Sequence, residues 1–192
     1  MLEKTLQEQY GEMERYSVPL VEVVEEAVAK FNVSTNSVIN FGCATGLTSF
    51  LLSANFEKVV GIDFCGRFLD TAMKIQKGKV VEYGSRQVAK LPSQSQPSRV
   101  QFQQLTWVPN ELEGFDVVVF ESVERLSEPR GWLYKLWEVV LPGGLLVFSS
   151  SHSSWNPSHT LSFVGQWFSL KKTTTINGRS VSVWKLKEVK CE

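Results

Sequence analysis

The five residues Gly42-Cys43-Ala44-Thr45-Gly46 follow directly on a short apolar run, Ser37 to Phe41, and lead into a segment with helical spacing. Small residues in such a turn let backbone N–H groups approach a ligand at the helix N-terminus. Asp63 lies 21 residues after Gly42, at the end of a second apolar run. A carboxylate in that place accepts both hydroxyls of an adenosine ribose. The dinucleotide fingerprint GxGxxG asks for glycine at positions 42, 44 and 47, where this chain has Gly42, Ala44 and Leu47. A pyrophosphate-binding turn therefore fits poorly. The spacing G-x-[GA]-x-G fits instead, and it suits a loop that cradles a methionine-like and ribose portion. The competing reading is a tight strand–helix connection with no ligand.

These residues need a parallel sheet to bring them together, and the pattern supplies one. Pro19 to Phe31 sets Leu20, Val24, Ala27, Val28 and Phe31 on one helical face, with Ser17 placed to cap it. Ser37–Phe41, a helix from Leu47 to Asn55, a strand from Lys58 to Phe64 and a helix carrying Phe68, Leu69, Ala72 and Met73 then alternate. Such β-α-β-α alternation predicts a parallel sheet covered on both faces. Gly84 to Ser98, rich in Ser, Gln and Pro, reads as a surface loop, and Arg99 to Leu105 as a strand. Phe115 to Glu121 (FDVVVFE) reads as a central strand. A helix from Pro129 to Leu141, burying Trp132, Leu133, Leu136, Trp137 and Val140, stops at Pro142-Gly143-Gly144 before a strand from Leu145 to Ser149. Asn177-Gly178 between two β-rich runs predicts a closing antiparallel hairpin. The expected fold is α/β, Rossmann-like and doubly wound, with a mostly parallel seven-stranded sheet and a C-terminal antiparallel hairpin.

Composition narrows the partners. With 192 residues the chain suits a single domain. Its 20 Lys+Arg balance 20 Asp+Glu, which removes the electrostatic case for nucleic acid or an anionic membrane. Lys171-Lys172 is too brief for a basic patch. No apolar run reaches the ~18 residues of a membrane span, and the start, MLEKTLQEQYGEMER, is too acidic for a signal peptide. Two histidines and three cysteines (Cys43, Cys65, Cys191) without CxxC spacing give no zinc site or disulfide framework. The expectation is a reduced, cytoplasmic chain without a metal.

The glycine loop with Asp63, Phe115-Asp116 opening a strand and Leu141-Pro142-Gly143-Gly144 before the next resemble the class I S-adenosylmethionine (SAM)-dependent methyltransferases, over about residues 10 to 187. Within that class, VVGIDFCGRFLDTAMKIQKGKVVEYG and ESVERLSEPRGWLYKLWEVVLPGGLLVFSSS look like the C-terminal methyltransferase domain of ovothiol biosynthesis enzymes. So does the early Tyr10-Gly11 … Val18-Pro19, and the likeness is strongest at Asp63-Phe64, Arg67-Phe68 and Ala72-Met73. That domain methylates an imidazole nitrogen of a thiol-bearing histidine. The resemblance implies SAM as cofactor, held by Gly42, Ala44, Gly46 and Asp63 with Asn40, Phe64 and Thr106 assisting. It implies residues 1–34 as a helical cap, 35–150 as the SAM-binding core and 151–192 as a short substrate-side segment with the closing hairpin.

The chain also departs from the family. Asn40 stands where relatives usually carry Asp two residues before the first glycine, and Leu105-Thr106-Trp107 replaces a Gly-Asp-Ala whose Asp reads the adenine amino group. The segment after Ser151 is shorter than in relatives.

Methyl transfer from a sulfonium mainly needs alignment and exclusion of water, with a general base only when the acceptor keeps its proton. Tyr10, Tyr16, Glu121 and His152 are the candidates beside the acceptor, since Glu121-Ser122 and His152 follow strands at the carboxyl edge where open α/β sheets bind ligands. Each has a plainer reading: Tyr10 and Tyr16 as packing residues, Glu121 as a turn cap, His152 as a solvated loop residue. His159, Cys43 and Cys65 read as structural, while Trp155 and Trp167 are candidates to face a substrate. Two other functions stay open: a degenerate methyltransferase fold serving as a non-catalytic binding or scaffold module, and a protein methyltransferase.

Overall fold

The computed structural model describes residues 1–11, 16–85, 87–106, 112, 114–121, 135–150, 162 and 164–187. The expectations for Trp107, Ser122, the first part of the Pro129–Leu141 helix with Trp132 and Leu133, His152, Trp155, His159 and Cys191 lie outside the described residues.

Alternation along β6 (Phe115–Glu121) shows how the sequence builds a two-faced sheet. Val117 and Val119 pack into one buried cluster while Val118 and Phe120 pack into the other. Every residue of the strand is buried, as an apolar run in a strand covered on both faces requires. The other strands of this sheet are β1 (Ser37–Phe41), β2 (Lys58–Asp63), β5 (Val100–Gln104), β7 (Val140–Ser150), β8 (Phe168–Ile176) and β9 (Arg179–Leu186), in the order β5-β2-β1-β6-β7-β9-β8. β5, β2, β1, β6 and β7 run parallel, and β9 and β8 are antiparallel. The mostly parallel seven-stranded sheet with its antiparallel C-terminal hairpin is the fold expected. The chain leaves β1 toward β2 and returns to β6 on its other side, so the β1–β6 boundary is the switch point where an open α/β sheet forms a crevice.

Helices α1 (Leu2–Leu6), α2 (Ser17–Phe31), α3 (Leu47–Leu52) and α4 (Gly66–Gln76) complete the described frame. α2 buries Leu20, Val24, Ala27 and Val28, the stripe set by their spacing, against Val38, Val117, Val119 and Val147. Ser17 is its first residue and is itself buried, so it does not cap from outside. α4 buries Phe68, Leu69, Ala72 and Ile75 and leaves Met73 exposed.

Three local expectations change. Residues Val81–Tyr83 (β3) and Gln87–Ala89 (β4) pair as a small antiparallel sheet, so the stretch after Gly84 is not all loop. Val88 alternates outward while Tyr83 and Ala89 are buried, which a polar-rich window conceals. The helix over 135–139 ends earlier than its apolar spacing suggests, because Val140 pairs with Phe115 and opens β7. Pro142-Gly143-Gly144 therefore lies inside that strand as an outward bulge, with Gly143 at φ +79°. Leu136 of this helix is buried, whereas Trp137 is 38% exposed and stacks on Trp167 instead of filling the core.

Leu20→Ala removes a fully buried side chain from the α2 face and is expected to cost about 2–5 kcal/mol. Urea unfolding checks this as a lowered midpoint at unchanged slope, and a loss under ~1 kcal/mol would mean that α2 does not seal this face.

Candidate functional site

The loop after β1 holds a conformation that side chains resist. Gly42 and Gly46 have φ of +76° and +88°, and Ala44 between them has φ +48°. A methyl group on Gly42 would stand 2.5 Å from the backbone oxygen of Glu121, and one on Gly46 would stand 2.7 Å from the Phe102 ring. Only glycine lets the loop pass this close to both neighbouring strands. Gly42 and Cys43 donate N–H groups to the Ile62 carbonyl at 2.8 and 3.0 Å, which fastens the loop to the end of β2.

Asp63, the last residue of β2, is buried and grips two loops. Its Oδ2 accepts the Ala44 N–H at 2.9 Å and its Oδ1 accepts the Cys65 N–H at 2.8 Å. The wide helical turn Gln7–Gly11 packs over the same loop. The Gln9 side-chain amide donates to the Cys43 carbonyl at 3.1 Å, and its oxygen accepts the Thr45 N–H at 3.0 Å and the Thr45 hydroxyl. Tyr10 donates its hydroxyl to the Thr45 carbonyl at 3.2 Å, and burial pushes that phenol far above its ordinary range, so it stays neutral.

On the other side of β1, Asn40 donates from Nδ2 to Glu121 Oε1 at 2.9 Å and to Ser49 Oγ at 3.2 Å. Asn40 is fully buried, and its Oδ1 has no hydrogen-bond partner. Burial pushes the Glu121 carboxyl from 4.5 up to about 7. The hydrogen bond from Asn40 and the charge of Arg179 pull the other way, and the charge of Asp63 adds to the rise. Burial first, then Asp63 and Glu121, likewise raise the Cys43 thiol well above its usual range, so it is a packing group. Tyr16 shares a short hydrogen bond with Ser149 Oγ at the end of β7, and the Arg179 guanidinium lies over its ring at 4.0 Å. Glu121, Tyr16, Arg179, Gly42, Ala44, Gln9 and Glu8 border a cavity of ≈ 30 Å³, room for one or two waters.

Of the candidates named from sequence, Asn40, Gly42, Ala44, Gly46, Asp63, Tyr10, Tyr16 and Glu121 gather at this one carboxyl edge. Phe64, 49% exposed, and Thr106, also exposed, lie at the rim. His152 lies outside the described residues. Asp116 belongs elsewhere: it accepts the Ser37 N–H and hydroxyl at 2.8 and 2.9 Å, tying the starts of β6 and β1 together at the opposite end of the sheet. Sequence reasoning missed Gln9, Ser149 and Arg179. Nothing local marks Gln9. Arg179 was legible in principle, because the residue after an Asn-Gly turn on a strand antiparallel to the core must start at the carboxyl edge. Asn177 and Gly178 do take φ of +46° and +81°, as that turn requires.

A crevice at the switch point, a positive-φ glycine loop and an acidic residue closing the next strand together define a Rossmann-like methyltransferase fold. A family model described as a methyltransferase domain matches residues 13–186, and the chain belongs to that family. No curated protein matches the sequence. Among solved structures, the N-methyltransferase NodS from Bradyrhizobium japonicum WM9, in complex with S-adenosyl-L-homocysteine (SAH), is 14% identical, with 88% of this chain and 86% of that chain covered and a TM-score of 0.65. A TehB-like SAM-dependent methyltransferase from Corynebacterium glutamicum is 14% identical over 97% and 98% of the two chains, with a TM-score of 0.65. Magnesium protoporphyrin IX methyltransferase from Synechocystis, with bound SAM, is 18% identical over 90% and 80%, with a TM-score of 0.61. At these identities the likeness is one of fold.

Glu121 gives this site a measurable pH signature. Its carboxyl ionises at about 7 in the fold and near 4.5 when unfolded, so the folded chain binds more protons between those values. Stability from this group therefore falls as pH rises from about 4.5 through about 7 and is level above, a loss on the order of 3 kcal/mol. Glu121→Gln abolishes that slope. The variant should melt well above wild type at pH 8 and close to it at pH 5, and an equal difference at both pH values would mean that Glu121 is not desolvated.

Proposed function

We propose that this chain is a SAM-dependent methyltransferase acting on a small-molecule acceptor, with Glu121 as the group that takes the acceptor's proton. The observation that carries this reading is the gathering, at one sheet edge, of a glycine loop no side chain tolerates, a buried Asp63 and a buried Glu121 poised near neutrality.

The residues present suit the cofactor. Gly42, Ala44 and Gly46 would hold its amino-acid and sulfonium portion, and Asp63 its ribose, since its carboxylate closes β2 beside the glycine loop. Asn40 offers an orphaned, buried Oδ1 to an ammonium group. Phe64 and Thr106 at the rim would flank the adenine. When bound, SAM supplies an electrophilic methyl group. The chain's own contribution is to position the acceptor, exclude water and accept a proton at the Glu121 carboxyl, helped by the Tyr16–Ser149 pair that shapes the wall. A cofactor contact at the Thr45 N–H would displace the Gln9 side chain that now accepts from it. His152 stays a proposed acceptor-side residue, and residues 1–34, 35–150 and 151–192 serve as cap, cofactor core and substrate-side closure.

The finest form of this reading takes an imidazole nitrogen of a thiol-histidine as the acceptor atom, supported by the likeness of residues 59–84 and 121–151 to ovothiol-pathway methyltransferase domains. A second reading, a non-catalytic binding module, is favoured by one observation: Gln9 already satisfies the loop donor at Thr45 that a ligand would use.

Calorimetric titration with SAM and SAH separates the two. Saturable binding is expected below ~1 mM, a limit equivalent to only ~4 kcal/mol, and its absence overturns the methyltransferase reading. Asp63→Ala should weaken SAH binding at least tenfold, since charge-assisted contacts contribute ~1.5–3 kcal/mol. Because Asp63 also holds the loop, melting is followed alongside; lowered stability with unchanged affinity would leave it a structural role alone. With labelled methyl groups, turnover of a thiol-histidine acceptor should rise as pH passes about 7 and Glu121 ionises. Transfer that is flat across pH 6–8 would remove Glu121 as the base.

A further inference from the structure

Arg179 is a half-buried cation with no ion pair among the described residues. The I′ turn at Asn177-Gly178 sets it as the first residue of β9, level with the end of β7, where Ser150 pairs with Ser180. Its guanidinium is spread over the Tyr16 ring at 4.0 Å, and Tyr16 is anchored by its hydroxyl to Ser149. Neither hydrogen bond nor ion pair joins that guanidinium to any carboxylate among the described residues. Glu121, which borders the same cavity, is coupled to it through its field alone. Its planar guanidinium is therefore oriented by stacking, with no hydrogen-bond acceptor among the described residues, at the wall of the candidate site.

We propose that Arg179 binds a carboxylate of the methyl acceptor, so that the acceptor is an α-amino acid or another small acid whose nucleophilic atom is held toward Glu121. The inference rests on the methyltransferase reading and adds the acceptor's class. A guanidinium stacked on an aromatic ring keeps its N–H edge free, and that edge matches the two oxygens of a carboxylate. Topology assigns this anion to the acceptor and not to the cofactor. Asp63 on β2 and Arg179 on β9 stand on opposite sides of the β1–β6 pair, and Glu121 lies between them. A ligand held at Asp63 and the glycine loop occupies the β2–β1 side, which leaves the β7–β9 side for the molecule that receives the methyl group. Glu121 feels the charge of Arg179, but no hydrogen bond or ion pair joins the two. Among the described residues no acidic group completes Arg179, and a carboxylate of the acceptor would do so.

The test uses the SAH-saturated protein and matched pairs of amino acid and decarboxylated amine: histidine and histamine, tyrosine and tyramine, tryptophan and tryptamine. For at least one pair, calorimetry should show the acid binding tenfold or more tightly than its amine. Arg179→Gln should erase that preference and Arg179→Lys should keep part of it, while affinity for SAH stays within twofold in both. No acid outbinding its amine, or a preference that survives Arg179→Gln, overturns the proposal and leaves the methyltransferase reading intact. A tenfold loss of SAH affinity overturns it too, by showing that Arg179 holds the cofactor's own carboxylate. Failure of the wild-type chain to bind SAH overturns both. Circular dichroism checks folding, and should Arg179→Gln unfold, Arg179→Lys decides: at least a threefold loss of the preference supports the proposal, and none overturns it.

Discussion

Everything at the carboxyl edge hangs on the Asp63 carboxylate. One oxygen holds the Ala44 N–H and the other holds the Cys65 N–H, so a single side chain fixes the loops that follow β1 and β2. Ala44 needs that support. Its φ of +48° costs an alanine about 1–2 kcal/mol. A buried, charge-assisted hydrogen bond contributes ~1.5–3 kcal/mol, enough to outweigh the strain. The glycines on either side then have only to avoid collision, Gly42 with the Glu121 carbonyl and Gly46 with Phe102. Loop geometry, α3 beginning at Leu47 and the closeness of β1 to β6 follow from that one anchored turn.

The same constraint explains the departure at position 40. Asn40 points its amide at Glu121 Oε1, 2.9 Å away in a fully buried setting. An aspartate there would set two carboxylates against each other, and one of them would have to stay protonated. With Asn40 the amide donates to Glu121 and favours its ionised form, while burial disfavours it, and the balance falls at about 7. Asn40 and Glu121 thus act as one buried unit, in which the amide sets how readily the carboxylate ionises.

How much of this was legible in the sequence depends on what each signal measures. FDVVVFE announced a strand buried on both faces because no polar residue interrupts Val117 to Phe120, and Asn-Gly announced its turn because both residues tolerate positive φ. The glycine loop and Asp63 were legible because their spacing is set by one β-α-β passage. Pro142-Gly143-Gly144 misled because proline and glycine break a helix and bulge a strand equally well, and the pairing of Val140 with Phe115 chose between the two. β4 hid because only its alternate side chains are buried, in a window full of Ser and Gln. Gln9 stayed invisible for another reason, and so did the contact of Arg179 with Tyr16, though its place at the carboxyl edge did not. Their partners lie 34 or more positions away along the chain, and only the folded sheet brings them together.

The Gln7–Gly11 turn gives the site two competing claims on the same backbone. Gln9 satisfies Thr45 N–H, the Thr45 hydroxyl and the Cys43 carbonyl, while Tyr10 takes the Thr45 carbonyl. A ligand reaching the loop must replace these bonds, each with a net contribution of about 1 kcal/mol. The turn is also held by Tyr10, whose ring packs against the core below it. An opening cost of a few kcal/mol lowers apparent affinity by the fraction of molecules already open. It does not abolish binding, because contacts with Asp63 and the freed loop donors offset it. A glycine loop kept in its strained form by an internal amide is also a loop that needs no rearrangement of its own once the amide leaves. The strap and the cradle are therefore complementary: the side chain that closes the site also preserves the shape a ligand would meet.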